Sequence, residues 1–578
     1  MDRVHRAMLL VALVLLSGLD PGLLRAQEPP SRASFEDTVE TRLAEANALW
    51  EADHIDGAVA ILENLVDRAE LPAMGRAYAS TLYALACGRA RLGQRDQALA
   101  DLGRATETGF IRLAYIESDP DLDSIRGLPG YLALRERLEA FDRLWKSPIL
   151  DTPYRADLPV DEKVAGLSKL WSEIKYNFAF FDRVPAGVDW DSLYVAYLPR
   201  VRQTTSTLEY YRALREMTAR LHDGHTGVNV PPELYDAIGF RPAIRTGLVE
   251  GRVLIREVAA GAESLTSVPL SPGLEIVGVD GIPVREYAAR RVLPYVRAST
   301  PWGRNVAAFD YDLLLGRRGD ICELEVTDDG GRSTVTVRLP RDVPVMVRPD
   351  AEPRTEWLAD RIARLTIDSF ADNGVAARFD TLFAGLATSA GLIIDLRDNG
   401  GGNGGVAYAL LARLTDRPFS TLRCTCRDYR PLRRAVGAQE GWYLEKHERW
   451  PVDATMHYAK PVVVLIGPRT GSAAEDFCAT FRSMQRGTLI GETTAGSTGQ
   501  PLVFALPGGG NAMVCTARCT SPDGEAIVGV GVPPDIEVHP TVEDIKAGRD
   551  AVLEAARRAL RQGDAGAHRT SPGSENRE

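Results

Sequence analysis

Three separated stretches carry the residue types that acyl-transfer chemistry needs. Residues 391–405 read Gly-Leu-Ile-Ile-Asp-Leu-Arg-Asp-Asn-Gly-Gly-Gly-Asn-Gly-Gly, a short apolar run with the pattern of a buried strand that empties into glycines. Free backbone N–H groups at the end of such a strand can hold an anion or a developing oxyanion, and Gly401 can bring its bare N–H close to a reacting centre. Residues 461–475 repeat the arrangement: the strand Pro-Val-Val-Val-Leu-Ile-Gly is followed by Pro-Arg-Thr-Gly-Ser-Ala-Ala-Glu, which puts Ser472 at a turn just before a helix. A serine there lies in the field of a helix N-terminus but is a poor nucleophile until a base takes its proton. The third stretch, Leu221-His-Asp-Gly-His-Thr-Gly227, holds His225 after an Asp-Gly turn, exposed and positionable as a general base. Taken singly, Ser472 reads as a helix cap and His225 as a loop bystander.

The composition bounds what surrounds these groups. At 578 residues the chain is too long for one core, and about three or four domains are expected. With 25% charged and 45% hydrophobic residues it has the profile of an ordinary globular protein, and a net charge of −11 argues against a nucleic-acid partner. Arg3 and Arg6 precede an apolar run over 7–16, and Leu24-Arg-Ala26 stands as a cleavage site before Gln27, the layout of a signal peptide over 1–26. Export to the periplasm or beyond is therefore expected, with no stable membrane span once the leader is removed. Seven cysteines leave at least one unpaired, and none lies in a Cys/His cluster with zinc-like spacing, so neither metal nor cofactor is expected. Cys424, Cys426, Cys515 and Cys519 are the disulfide candidates, with connectivity open, whereas Cys87, Cys322 and Cys478 read as buried thiols.

The elements that must position the site follow in order. Residues 35–145 are helical, with Gly93 at a turn between two helices and Ala98 and Leu102 packing back; a fainter copy has Gly57, Ala60 and Ile61. This resembles tetratricopeptide (TPR) repeats, whose small residues let helix pairs approach, and it implies a protein-binding groove or a spacer. Residues 155–232 form a second helical block whose aromatics, among them Trp171, Tyr176, Phe178, Trp190 and Tyr197, are expected in a core. Residues 236–345 turn to short β-branched strands, and Ser271-Pro-Gly-Leu-Glu-Ile-Val-Gly-Val-Asp-Gly281 resembles a PDZ domain, with Leu274 where that family commonly has aspartate. Such a domain captures an extended peptide by adding it to a sheet edge, and the other reading is an inert gate. Residues 350–545 carry the strand-and-helix rhythm of an α/β core, interrupted by an Arg- and aromatic-rich insert at 421–450. A C-terminal helix and polar tail occupy 546–578.

In series, Asp223-Gly-His-Thr226, the PDZ-like module, Asp395-Leu-Arg-x-Asn-x-Gly-Gly402, Ser472-Ala-x-Glu475, Gly491-Glu-x-Thr-x-Gly496 and Gly531-Val-x-Pro-Asp535 resemble the tail-specific (C-terminal processing) peptidases of the S41 family, which includes the tricorn core protease. The resemblance covers roughly 161–538 and implies a multidomain chain with a ClpP/crotonase-like α/β catalytic core acting as a serine endopeptidase on extended or unstructured polypeptides. It implies Ser472 as nucleophile and the N–H groups of Gly401 and Ala473 as oxyanion hole. The processing branch has a lysine base where this chain has Ser497; the tricorn-like branch uses a histidine, which His225 matches. That branch also has a glutamate where this chain has Val528, so the group orienting His225 falls among Asp223, Glu475 and Glu525. The alternative function is a peptide- or ligand-binding protein of the same fold without turnover.

Overall fold

The computed structural model describes residues 31–563 apart from 69–70, 72–75, 111, 146–147, 260–269, 329–331, 346–351, 440, 447–448 and 453–456. The leader expected at 1–26 and the tail beyond 563 lie outside the described residues. The chain divides into two compact units: one takes the described residues up to 149 together with those of 430–448, the other 150–429 and 449–563. Part of the 421–450 insert thus belongs with the first unit rather than with the α/β core, which corrects the single span expected for 350–545.

The first unit is built from α1 (Ser31–Glu51), α2 (Ile55–Val66), α3 (Arg76–Arg91), α4 (Arg95–Glu107), α5 (Leu113–Ser118) and α6 (Pro129–Trp145). Gly93 has φ +75° at the α3–α4 turn, a conformation that favours glycine, and Ala98 and Leu102 are fully buried behind it. Gly88 on α3 permits close contact with α2, since a Cβ there would lie 2.5 Å from Val59 Cγ2.

The second unit opens with α7 (Val160–Asn177), α8 (Trp190–Gln203) and α9 (Thr207–Ala219). Phe178, Trp190, Tyr197, Tyr210 and Tyr211 are buried as the aromatic density suggests, but Tyr176 is 39% exposed. These helices share a core with Leu506, Ala512 and Val514 of a three-stranded sheet. The loop after α9 carries His225 and leads into β1 (Gly227–Asn229).

Next comes an antiparallel sheet of β2 (Ile244–Val249), β3 (Arg252–Val258), β4 (Glu275–Val279), β5 (Ile321–Thr327) and β6 (Val335–Pro340), in that spatial order. Between β4 and β5 run α10 (Val284–Arg291) and a helical stretch ending in a π-helical turn, Val306–Asp312. The turn lies against edge strand β2, where the Thr246 hydroxyl donates to the Phe309 carbonyl.

The α/β core has a six-stranded sheet ordered β7 (Arg354–Trp357), β8 (Ile362–Thr366), β9 (Gly391–Asp395), β11 (Val462–Ile466), β12 (Thr488–Gly491) and β16 (Ile536–Glu537), parallel except for β7. Strand β10 (Arg423–Asp428) lies outside it and pairs with β15 (Ala517–Thr520), while β13 (Pro501–Leu506) and β14 (Gly510–Cys515) join β1 in the three-stranded sheet. Helices α11 (Val375–Leu386), α12 (Gly404–Ala412) and α13 (Ala473–Ser483) are followed by α14 (Val542–Ala547) and α15 (Ala551–Gln562). The alternation of a strand explains the two-sided burial: Leu392, Ile394, Val462, Val464 and Ile466 face one apolar cluster with α11–α13, whereas Ile393, Val463 and Leu465 face another with Val552, Ala555, Ala556 and Ala559 of α15. The C-terminal helix is therefore a layer of the core, and the boundary expected at 545/546 falls inside α14.

Cys424 and Cys519 stand directly opposite each other on β10 and β15 and form a disulfide. Cys515, considered as a partner for Cys519, is instead a buried thiol.

A Cβ at Gly487 would lie 2.1 Å from the Val462 carbonyl oxygen, so Gly487→Ala must push β11 and β12 apart. It should cost about 1–3 kcal/mol in thermal or urea unfolding, whereas Gly385→Ala, with open space around it on the last turn of α11, should be neutral or slightly stabilising.

Candidate active site

The site forms where β9 and β11 end side by side. After β9, Asp395 is buried between Arg364 (2.6 Å) and Arg397 (2.8 Å), and Arg397 reaches on to Asp550 (2.8 Å). Burial alone would raise the Asp395 carboxyl, but the two guanidiniums outweigh it and hold it below the ordinary range. The chain then turns through Asn399, which is fully buried. Its Nδ2 donates to the Ile367 carbonyl (3.0 Å) and its Oδ1 accepts the Gly401 N–H (2.8 Å). After β11, the Thr470 hydroxyl donates to the Leu396 carbonyl (2.8 Å) and the Gly471 N–H donates to the Asn399 carbonyl (3.0 Å), which ties the two loops together.

Gly401 has φ +106°, and a Cβ there would lie 2.5 Å from Ser472 Cβ and 2.8 Å from the Gly471 carbonyl oxygen. Gly402, at φ +141°, presses equally on the backbone of Phe370. Ser472 itself sits at φ +54°, ψ −127°, a strained conformation for a side-chain-bearing residue. It precedes α13 but makes no side-chain cap bond, so its hydroxyl is free to point elsewhere. The Ala473 N–H, first of α13, has no hydrogen-bond acceptor among the described residues. The Gly401 N–H is shared with Asn399 Oδ1, so an oxyanion at this point would compete with the amide oxygen for it.

His225 Nε2 lies 3.0 Å from Ser472 Oγ, and His225 Nδ1 lies 2.8 Å from Ser497 Oγ. If Nδ1 carries the proton and donates to Ser497, Nε2 is left as an acceptor for the Ser472 hydroxyl. Burial, with Arg297 nearby, lowers the His225 pKa to about 4, so the ring is neutral around pH 7.

No carboxylate among the described residues touches the imidazole. Asp223 accepts the backbone N–H of His225 (3.0 Å) and so shapes the turn rather than the ring. Glu475 is fully buried and accepts the Gly496 and Ser497 N–H groups (2.7 Å each) and the Thr494 hydroxyl. Burial raises its pKa to about 7 against these bonds. Glu525 is exposed on the turn it shares with Ser521, away from the ring. Val528 is buried in the apolar core under the helical block. Of the three carboxylates proposed from sequence, Asp223 and Glu475 come close and act on backbone, and Glu525 is set aside. Ser497 stands where the processing branch has its lysine, and its position in the motif after β12 is the sequence signal for its place at the site. Among the described residues no cluster of His, Cys, Asp or Glu is placed to hold a metal ion.

The neighbouring domain supports the site. Thr300 and Trp302 donate to the carbonyls of Ala495 and Thr494 (2.8 and 2.7 Å), and Ser299 Oγ accepts the Gly224 N–H (3.0 Å). Arg469, in the loop before Ser472, pairs with Asp398 (2.5 Å) and with Asp310 of the π-helical turn (3.0 Å).

A strained serine at a strand–helix turn, a histidine on its hydroxyl and the unbonded Ala473 N–H beside it are arranged for acyl transfer. The comparisons with known proteins agree with this geometry: residues 361–538 match Peptidase family S41, and residues 160–219 match the Tricorn protease C1 domain. The chain carries a peptidase family S41 domain over residues 361–538. The S41 peptidase is 25% identical over 378 residues to a chloroplastic C-terminal processing peptidase of Tetradesmus obliquus, covering 63% of this chain and 75% of that protein. It is 23% identical over 373 residues to a carboxyl-terminal-processing protease of Picosynechococcus, covering 63% and 80%. In fold it is similar to the crystal structure of mature CPAF, with a TM-score of 0.55 at 19% identity over 70% of this chain and 98% of that one. With this domain it is a serine-type peptidase whose substrates are polypeptides.

Gly401→Ala drives a methyl group into Ser472 and the Gly471 carbonyl. Turnover of an unfolded protein substrate by this S41 peptidase should fall by about 10²-fold or more, with circular dichroism reporting an unchanged fold.

Proposed function

We propose that the protein is an exported serine endopeptidase that cleaves extended or unstructured polypeptides through an acyl-enzyme, with Ser472 as nucleophile and His225 as general base. The observation that carries this reading is the 3.0 Å contact between His225 Nε2 and Ser472 Oγ. In the first step Ser472 Oγ attacks the scissile carbonyl while Nε2 takes its proton, and the carbonyl oxygen becomes an oxyanion facing the Ala473 and Gly401 N–H groups. The imidazolium then protonates the leaving amine as the C–N bond breaks. Water repeats the sequence on the ester, which releases the second product and restores Ser472.

Several finer features belong to the same proposal. The helices of 35–145 act as TPR-like hairpins that serve as a protein-binding groove or a spacer, the sheet of 236–345 acts as a PDZ-like module, and the mature chain begins near Gln27 after export. No helix among the described residues is long and apolar enough to cross a membrane.

A fluorophosphonate probe should label the wild-type chain at Ser472; label retained on Ser472→Ala would overturn that assignment. His225→Ala should lower kcat by about 10⁴-fold. The pH dependence follows from the lowered pKa: only neutral imidazole accepts a proton, and His225 stays neutral until the pH falls through about 4. Above that point His225 should contribute no acid limb to kcat/KM near 6.5, the ordinary histidine value; a limb there that persists in Glu475→Gln, which removes the one buried carboxyl beside the site that titrates at about 7, would contradict the reading.

A further inference from the structure

We infer that Ser497 is the positioning residue for His225, a neutral hydroxyl standing where a Ser-His-Asp arrangement has a carboxylate, and that buried Glu475 fixes Ser497 through the backbone of its loop. The inference rests on the proposed role of His225 as base. Its ground is the 2.8 Å contact between Ser497 Oγ and His225 Nδ1, on the ring edge opposite the 3.0 Å contact to Ser472. Two bonds on opposite ring nitrogens set both the orientation and the tautomer of an imidazole.

The loop that presents Ser497 is held from several sides. Glu475 accepts the N–H groups of Gly496 and Ser497, each at 2.7 Å, and the Thr494 hydroxyl. The Ser497 carbonyl in turn accepts the Ser472 N–H (2.8 Å), so one residue touches the proposed base through its hydroxyl and the proposed nucleophile through its backbone. Glu475 lies one turn into α13, the helix that Ser472 begins, so the nucleophile and the carboxylate that anchors the base's partner ride on one rigid element. A Cβ at Gly224 would lie 2.3 Å from Ser497 Oγ, which shows how closely the histidine loop is fitted to this hydroxyl.

A hydroxyl orients the ring without the Coulombic stabilisation that a carboxylate gives to imidazolium. The charged groups facing His225 are Arg297, which opposes protonation, and buried Asp223, whose carboxylate accepts the His225 backbone N–H and the Ser299 hydroxyl, with Glu475 beyond Ser497. Glu475 is itself faced by Asp476 on its own helix and by the hydroxyl and N–H groups of the 494–497 loop.

Three replacements in the full-length chain test the inference. Ser497→Ala should lower kcat about 10²–10⁴-fold with KM unchanged, and Ser497→Thr, which keeps the hydroxyl, should recover activity to within about tenfold of wild type. Ser497→Asp should move the acid limb of kcat/KM upward by about one pH unit or more, because a carboxylate beside imidazolium favours the protonated ring; a group with a merely structural role would leave the limb in place. Glu475→Gln should lower kcat at least about tenfold at unchanged KM, and an unchanged kcat would remove the Glu475 half of the inference. Full activity in Ser497→Ala together with loss in His225→Ala overturns the Ser497 assignment while leaving His225 as base. Full activity in His225→Ala overturns the underlying proposal instead.

Discussion

The close approach of the Gly401 backbone to Ser472 is the constraint on which the rest of the site depends. A side chain at 401 would occupy the space of Ser472 Cβ, the Gly471 carbonyl and the Ala473 N–H at once, at 2.5, 2.8 and 3.0 Å. Because glycine stands there, the ends of β9 and β11 can be stitched together by Thr470 and Gly471, and Ser472 is held in a strained conformation at the head of α13. The strain turns its hydroxyl away from capping the helix and toward His225. The strong ion pairs of Asp395 with Arg364 and Arg397 sit one step behind, anchoring the base of the glycine loop.

Charge is kept one layer away from the reacting atoms. Asp223 and Glu475 are both buried, yet each carboxylate is directed at backbone N–H groups and at a neighbouring hydroxyl, so the imidazole meets only hydroxyls. That arrangement agrees with the low pKa of His225: burial and Arg297 disfavour imidazolium, and no adjacent carboxylate offsets them. It also accommodates Val528, which packs in the apolar core under the helical block without leaving a buried charge unpaired. The cost is that the loop 494–497 must be placed by contacts rather than by charge, and Thr300 and Trp302 of the neighbouring domain supply two of them.

Much of this was legible in the chain itself. The two strand-then-turn stretches were readable because full burial on both faces demands continuous apolar runs, and Gly401 and Gly402 were readable because only glycine tolerates those contacts. The helical character of 35–145 was readable from its Ala and Leu spacing. What misled was sequence distance. Glu525 looked near enough to orient His225 but lies on an exposed turn, and α15 looked like a terminal appendage although its alanines cover one face of the central sheet. The insert at 430–448 could not be assigned to a unit from its own composition, because unit membership is a matter of long-range contact.

By itself the sequence determined the residue types at the site, the glycines that must lack side chains and the family to which the order of motifs belongs. These are local properties: strand burial, backbone conformation and motif succession are written in neighbouring residues. Only the tertiary structure decided what stands on the far side of His225, because Ser497 and His225 are far apart in the chain and a hydroxyl announces no partner by its type. A missing lysine and a missing glutamate read as gaps. The fold fills the space with a serine whose loop is held by a buried carboxylate on the helix that Ser472 begins.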